Sequence, residues 1–239
     1  MFIILKKNIG LFFVKKDSIK IKPACKEFDA DFSRVMLGLP FGYLLMLNSQ
    51  LTLHASAVMK NDKGVIFMGK SGMGKSTIAY ELLFKNFKLI TEDICAIANS
   101  EILHSFSLLK ISNSSYNIDM SLFEGDKYSF LTDSLGRQGF KVKKKFLSKK
   151  NNSCSLAYVL LDAQIESVKI KRVPLNQSIK YILDNTFKTH PMANDLLLEK
   201  NLKQIIDFCS RVEVYAVICS RKNFHKRNIK IYNHLSERI

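Results

Sequence analysis

Over the first 22 positions apolar residues come in short runs: Phe2-Ile3-Ile4-Leu5, Leu11-Phe12-Phe13-Val14 and the alternating Ile19-Lys20-Ile21-Lys22. Runs of this length, rich in β-branched and aromatic residues, read as strands. Asn8-Ile9-Gly10 and Lys16-Asp17-Ser18 read as the turns between them. A helix is expected from about Asp31 to Leu47, interrupted near Pro40, which lacks a backbone donor. Leu51 to Met59 reads as one strand, turning through Asn61-Asp62-Lys63-Gly64 into a second, Val65-Ile66-Phe67-Met68, with which it would form a hairpin.

Helical spacing returns at Ile78, Ala79, Leu82 and Leu83, within a helix from Ile78 to Phe84. Phe87 to Ile90 and Ile94 to Ile97 are extended, on either side of Thr91-Glu92-Asp93. Residues 99–153 are polar, punctuated and basic, with a Ser/Asn-rich stretch at 112–115, and predict loops and short strands around a site. Leu156–Leu161 and Val168–Val173 read as strands, Asn176–Leu183 and Ala193–Cys209 as helices, and Val212–Ile218 as a last core strand. With no internal repeat and no long linker, the pattern is that of a single α/β domain.

Between the strand at Gly64–Met68 and the helix at Ile78 lies Gly69-Lys70-Ser71-Gly72-Met73-Gly74-Lys75-Ser76-Thr77, a complete G-x-x-x-x-G-K-[ST] loop. Its glycines let backbone N–H groups converge on phosphate oxygens at a helix N-terminus. Lys75, expected at a solvent-facing helix start, would reach the β- and γ-phosphates of a nucleoside triphosphate, and Ser76 would offer its hydroxyl to Mg²⁺. The strand–loop–helix context makes this reading much stronger than a glycine-rich turn alone.

Composition changes the picture in three places. The longest apolar stretch, Val35–Leu47, is 13 residues and contains Gly38, Pro40 and Gly42, too short and broken to span a bilayer. No basic stretch precedes the apolar start and no cleavage site follows it, so a cytoplasmic protein is expected. Five scattered cysteines (Cys25, Cys95, Cys154, Cys209, Cys219) without a C-x-x-C pair predict thiols, not disulfides or a zinc site, and the five histidines show no metal spacing. The net charge of +16 includes seven Lys/Arg and no acid between Arg137 and Lys150, and five more Lys/Arg between Arg221 and Lys230. Such runs suit nucleic acid, an anionic membrane or an acidic peptide, and equally the solvated faces of a Lys/Asn/Ile-rich chain. No aromatic-interleaved motif accompanies them, which disfavours nucleic acid.

A phosphate loop names a ligand; chemistry needs acids and bases beside it. Glu92 and Asp93 end the strand after the loop helix, and ligands of open α/β sheets bind at the carboxyl ends of strands. One carboxylate could hold Mg²⁺ and the other accept a proton. His54 lies on an apolar stretch beside the loop strand, where a lone histidine is more often a satisfied core residue than a catalyst.

Leu53-His54-Ala55-Ser56-Ala57-Val58, the loop Gly69–Thr77 and Thr91-Glu92-Asp93, together with Arg211–Tyr215 after a helix, resemble the catalytic domain of HPr kinase/phosphorylase. The short relatives found beside ribosomal peptide clusters, such as lasso-peptide kinases, are similar. The resemblance runs loosely from Leu37 to Ile218. It implies a P-loop-containing, HPr-kinase-like (PEP-carboxykinase-like) mixed sheet with flanking helices. Residues 51–239 would form the catalytic domain, and 1–50 the N-terminal hairpins and helix leading into it.

The resemblance also implies that His54 relays a proton near the γ-phosphate, that Glu92 is base toward a substrate serine, and that Asp93 joins Ser76 on the metal. Glu92 departs from the family's first Asp, and Ser134-Leu135-Gly136-Arg137-Gln138-Gly139 is only an echo of its Gly- and Arg-containing signature. The expected activity is ATP- and Mg²⁺-dependent phosphorylation of a Ser/Thr hydroxyl on a peptide or small protein, with Lys141–Lys145 bordering the loop and meeting an acidic acceptor. A nucleotide-binding regulatory module and a small-molecule alcohol kinase are the alternatives, and a homo-oligomer stays open.

Overall fold

The structure, a computed structural model, describes residues 1–24, 30–48, 50–105, 108–112, 118–125, 136–186 and 195–239. The N-terminal runs form an antiparallel sheet of β1 (Phe2–Lys6), β2 (Gly10–Val14) and β3 (Ile19–Pro23). Helices α1 (Ala30–Met36) and α2 (Leu39–Leu47) cover it. Phe12 packs on Phe32 and Val35, and Val14 on Tyr43 and Met46, in two small apolar clusters of their own. The helix breaks at Leu37-Gly38, ahead of Pro40, which lies in the first turn of α2. There its missing N–H leaves no bond unmade.

Leu51 to Met59 is two strands, β4 (Leu51–Leu53) and β5 (Ala55–Lys60), with His54 at the break. They continue into β6 (Lys63–Gly69), α3 (Lys75–Leu83), β7 (Lys88–Thr91), β8 (Cys95–Ala98) and β9 (Glu101–Ile102). A separate ribbon pairs β10 (Leu108–Ser112) with β11 (Arg137–Lys141). Then come β12 (Asn152–Asp162), β13 (Lys169–Arg172), α4 (Leu175–Asn185), α5 (Asp195–Arg211), β14 (Glu213–Cys219) and α6 (Phe224–Ser236).

The large sheet runs β4-β8-β9-β12-β6-β5-β7, with β14 also on β12 and β13 on β14. β4 stands at one end of that path while β5, one residue later, stands near the other. The sheet therefore curls until its ends approach each other, and the closure falls at His54. β6, β12 and β14 are parallel, so Gly69, Asp162 and Cys219 finish at one edge.

Strand alternation sorts the core. Val65, Phe67, Leu156, Tyr158 and Leu160 face one cluster with α3 and α6, while Ile66, Met68, Ala157 and Val159 face another with α4 and α5. Helices thus cover both faces of a mixed sheet. The sequence pattern predicts nothing regular after Ile218, yet α6 forms there; two of its buried residues, Arg227 and Asn228, are polar, so its buried face does not show as an apolar pattern. Among the described residues Cys95, Cys154, Cys209 and Cys219 are free and buried, and no helix is long and apolar enough to cross a membrane. Cys25, Asn113–Ser115, Ser134-Leu135 and Ala193 lie outside the described residues.

Candidate functional site

Residues 69–77 join β6 to α3, with Lys70, Ser71 and Gly72 exposed at the crown, Met73 buried and Thr77 half-buried. Gly69 has φ +145, and a Cβ there would stand 2.6 Å from the Leu160 carbonyl oxygen, so only glycine lets the loop leave the sheet so close to β12. Its N–H donates to Asn185 Oδ1 at 2.9 Å, and Asn185 Nδ2 donates to the Tyr181 carbonyl at 2.8 Å. Gly74, at φ +77, begins α3 with no side-chain cap. The first-turn N–H groups are therefore left for another acceptor.

The loop rests on Arg227. This side chain is fully buried on α6, donates to the Met73 carbonyl and to Asn228 Oδ1, and lies 4.2 Å over the Phe224 ring. A Cβ on Gly74 would stand 2.8 Å from its Nη2. Charge counting places Arg227 in a surface run. The usable signal was periodic: Phe224, Arg227, Asn228, Ile231 and Leu235 share one helical face.

Lys75 is not solvent-facing. It is 7% exposed, and its ammonium donates to the carbonyls of Gly69 at 2.8 Å and Lys70 at 3.4 Å, spanning the loop from inside. Burial pulls its pKa down, against the pull of Asp93 and Glu92.

The two acids part company. Thr91 Oγ1 donates to the Ile94 carbonyl at 2.5 Å and Ile94 N–H to the Glu92 carbonyl at 2.8 Å, which tightens the turn and puts Asp93 at φ +70. Glu92 points to α3, where Ser76 Oγ donates to its Oε1 at 2.6 Å. Burial and then the neighbouring Asp93 push the Glu92 carboxyl up to about 7. Asp93 points the other way, with Oδ2 2.7 Å from Lys110 Nζ and Oδ1 3.2 Å from His54 Nδ1. Burial would raise Asp93 too, but Lys110, His54 and Arg137 outweigh it and hold the carboxyl below its ordinary value.

His54, with its side chain 40% exposed, is anchored by its N–H donating to the Asn185 carbonyl at 2.8 Å. Burial and the nearby Lys75 lower its pKa, so the ring is neutral near pH 7. Its Nδ1 lies 3.1 Å from the Asp93 carbonyl oxygen, which can only accept, so Nδ1 carries the proton and Nε2 keeps a lone pair.

The sequence alone does not mark Lys110 and Arg137 as site residues. On the β10–β11 ribbon Leu109, Ile111 and Phe140 are buried, and alternation turns Lys110 and Arg137 to the opposite face, toward the acids. A lone lysine inside Leu108-Leu109-Lys110-Ile111 was the available signal. Three other cations of the basic segment are engaged elsewhere. Lys141 pairs with Glu124, Lys143 donates to the Ser121 carbonyl, and Lys150 pairs with Asp62 at the opposite end of β6.

Two clefts flank the loop. One, of about 820 Å³, follows the carboxyl ends of β6 and β12, with Gly69, Leu161, Asp162, Tyr181 and Arg221 in its wall. The other, of about 660 Å³, runs between the loop and the N-terminal unit, past Ser71, Asp93 and Arg137. His54 and Thr186 line both. Among the described residues no group of three or more His, Cys, Asp or Glu could hold a metal ion by itself.

No protein-family model matches the chain, and a comparison with curated proteins finds none similar to it. Among solved structures, the chain is distantly similar to the HPr(Ser) kinase/phosphatase from Coxiella burnetii. The TM-score is 0.37 and the identity 12%, covering 78% of this chain and 97% of that one.

Proposed function

We propose that this chain is an ATP- and Mg²⁺-dependent phosphotransferase acting on a serine or threonine hydroxyl of a peptide or small protein. One observation carries the reading: two separate clefts meet at His54 with the glycine-rich loop between them. A binding module needs one cleft; a transferase needs two substrates to meet at one point. The nucleoside would occupy the cleft at the strand ends, where such sheets take ligands, and the acceptor the other.

The loop N–H groups and Lys75 would receive the phosphate oxygens. Ser76 and Glu92 fit Mg²⁺: a hydroxyl and a carboxylate oxygen 2.6 Å apart suit an ion that takes one or two protein oxygens and keeps water and phosphate for the rest. When bound, that ion neutralises charge on the β- and γ-phosphates. This reverses the roles implied by the family resemblance, because Asp93, not Glu92, stands on the acceptor side.

In the transfer, the acceptor oxygen forms a bond to the γ-phosphorus as the bond to the β,γ-bridging oxygen breaks, ADP leaves, and the hydroxyl proton passes to His54 Nε2. Asp93 holds the imidazole in the required tautomer and stabilises it once protonated. Lys110 keeps Asp93 ionised for that task.

The test is calorimetric titration of the protein with Mg·ATP, followed by transfer from γ-labelled ATP to serine peptides. Absence of Mg·ATP binding by the parent protein would overturn the reading.

A further inference from the structure

The second cleft has its own chemistry. Its outer wall is the tip of the β1–β2 hairpin, where Asn8 takes φ +62 in the turn and Lys6 and Lys7 line the cleft together with Ser71 and Asp93. Arg34, on α1, and Arg137, on the ribbon, complete the rim. Arg34 is bound to Asp31 at 2.9 Å, and Arg137 is close enough to lower the pKa of Asp93. Lys6 and Lys7 make no ion pair among the described residues, and both line the cleft. Between these cations the wall is apolar, from Val35, Leu39 and Tyr43.

Resting on the phosphotransferase reading, the geometry points to an occupant: a peptide segment carrying Asp or Glu beside the serine or threonine that is phosphorylated. Charge complementarity selects it, since Lys6 and Lys7 line the same cleft as His54 and Asp93, so an anionic neighbour of the hydroxyl meets them while the hydroxyl reaches His54. The apolar wall between the cations suits side chains flanking the acidic residue. Single-stranded nucleic acid would want an exposed aromatic platform. Tyr43 cannot serve, being 7% exposed and stacked on Phe2 at 4.4 Å. The N-terminal sheet is thus the part of the molecule that recognises the acceptor, and the loop body the part that holds the nucleotide.

The experiment uses the full chain and fluorescein-labelled serine peptides whose flanking residues are acidic, amide or lysine, otherwise identical. Binding is read by anisotropy with a non-hydrolysable ATP analogue and Mg²⁺ present, and Mg·ATP affinity is measured separately. The acidic peptide is expected to bind about tenfold tighter than the amide peptide, with the difference shrinking as salt rises. In the charge-reversed pair Lys6→Glu with Lys7→Glu the order of acidic and lysine peptides should invert, which a merely misfolded variant would not produce.

Equal binding of acidic and amide peptides by the parent overturns the inference, whether or not turnover is seen. So does loss of Mg·ATP affinity in the charge-reversed variant, which would put these lysines on the nucleotide, or tighter binding of an oligoribonucleotide than of the acidic peptide. If the parent binds the acidic peptide selectively but no Mg·ATP, docking stands and the phosphotransferase reading falls.

Discussion

Arg227, on the last helix, donates to the backbone carbonyl of Met73, 154 residues earlier, at the turn of the glycine-rich loop. A loop of this composition has little rigidity of its own, since glycine loses more conformational freedom on ordering than any other residue. The guanidinium holds it from beneath, where no ligand reaches.

Arg227→Met should therefore cost stability and loop geometry together. Leaving the buried Met73 carbonyl without its donor is expected to cost about 1–3 kcal/mol. Mg·ATP affinity should fall by about tenfold, on the order of 1.4 kcal/mol. Arg227→Lys should recover part of both, because one donor remains. A variant that melts normally and binds Mg·ATP like the parent would sink the strut assignment; thermal denaturation and calorimetry read the two effects.

Lys75→Met separates binding from folding. On the proposed function, Mg·ATP affinity should drop by at least about tenfold, because the cation proposed to receive the phosphates is gone. Stability should stay within about 1 kcal/mol, since removing a buried ammonium also removes its desolvation cost. A large loss of stability with Mg·ATP binding intact would make Lys75 a structural residue.

The opposite orientations of the acids give a split between three variants. Glu92→Gln should raise the Mg²⁺ concentration needed for half-maximal transfer. Asp93→Asn and His54→Ala should leave Mg·ATP affinity within a few-fold and lower the transfer rate by about 10²-fold or more, the scale for losing a positioned proton acceptor. Should Glu92→Gln lose transfer with an unchanged Mg²⁺ requirement, the roles implied by the family resemblance would be restored.

The same pair predicts two opposite pH effects. Glu92 is raised from 4.5 to about 7 in the folded chain. Between those values the unfolded chain has released its proton and the folded chain holds it, so stability falls as pH rises through this window and then levels. Asp93 is lowered from 3.8, so its contribution is present above that value and is lost as pH falls through its lower folded pKa. Urea unfolding without Mg²⁺ should show the first slope in the parent and not in Glu92→Gln. Mg·ATP affinity should rise with pH toward and through about 7 as Glu92 gives up its proton.

Residues close in sequence carried what could be read without a structure. Short apolar runs specify strands through their alternation, and Gly69 and Gly74 bend a short segment because they lack a Cβ, so the strand, loop and helix around Lys75 were legible from local chemistry alone. Glu92 and Asp93 were legible as a pair for the same reason. Their division was not, because it depends on Ser76 standing on one side and on Lys110 and His54 on the other. Lys110 comes from a ribbon whose partner strand begins 25 residues beyond its own end.

His54 was ambiguous in sequence, a polar residue in an apolar run. Only the curl of the sheet, which sends β4 and β5 to different neighbours, turns its position into a junction of two clefts. The burial of Arg227 is hidden in the sequence for a related reason: burial and exposure of a cation differ by what packs over it, and that is set by where α6 docks. Local sequence determines which backbone shapes are allowed, while desolvation and ion pairing act between surfaces that long-range strand pairing brings together.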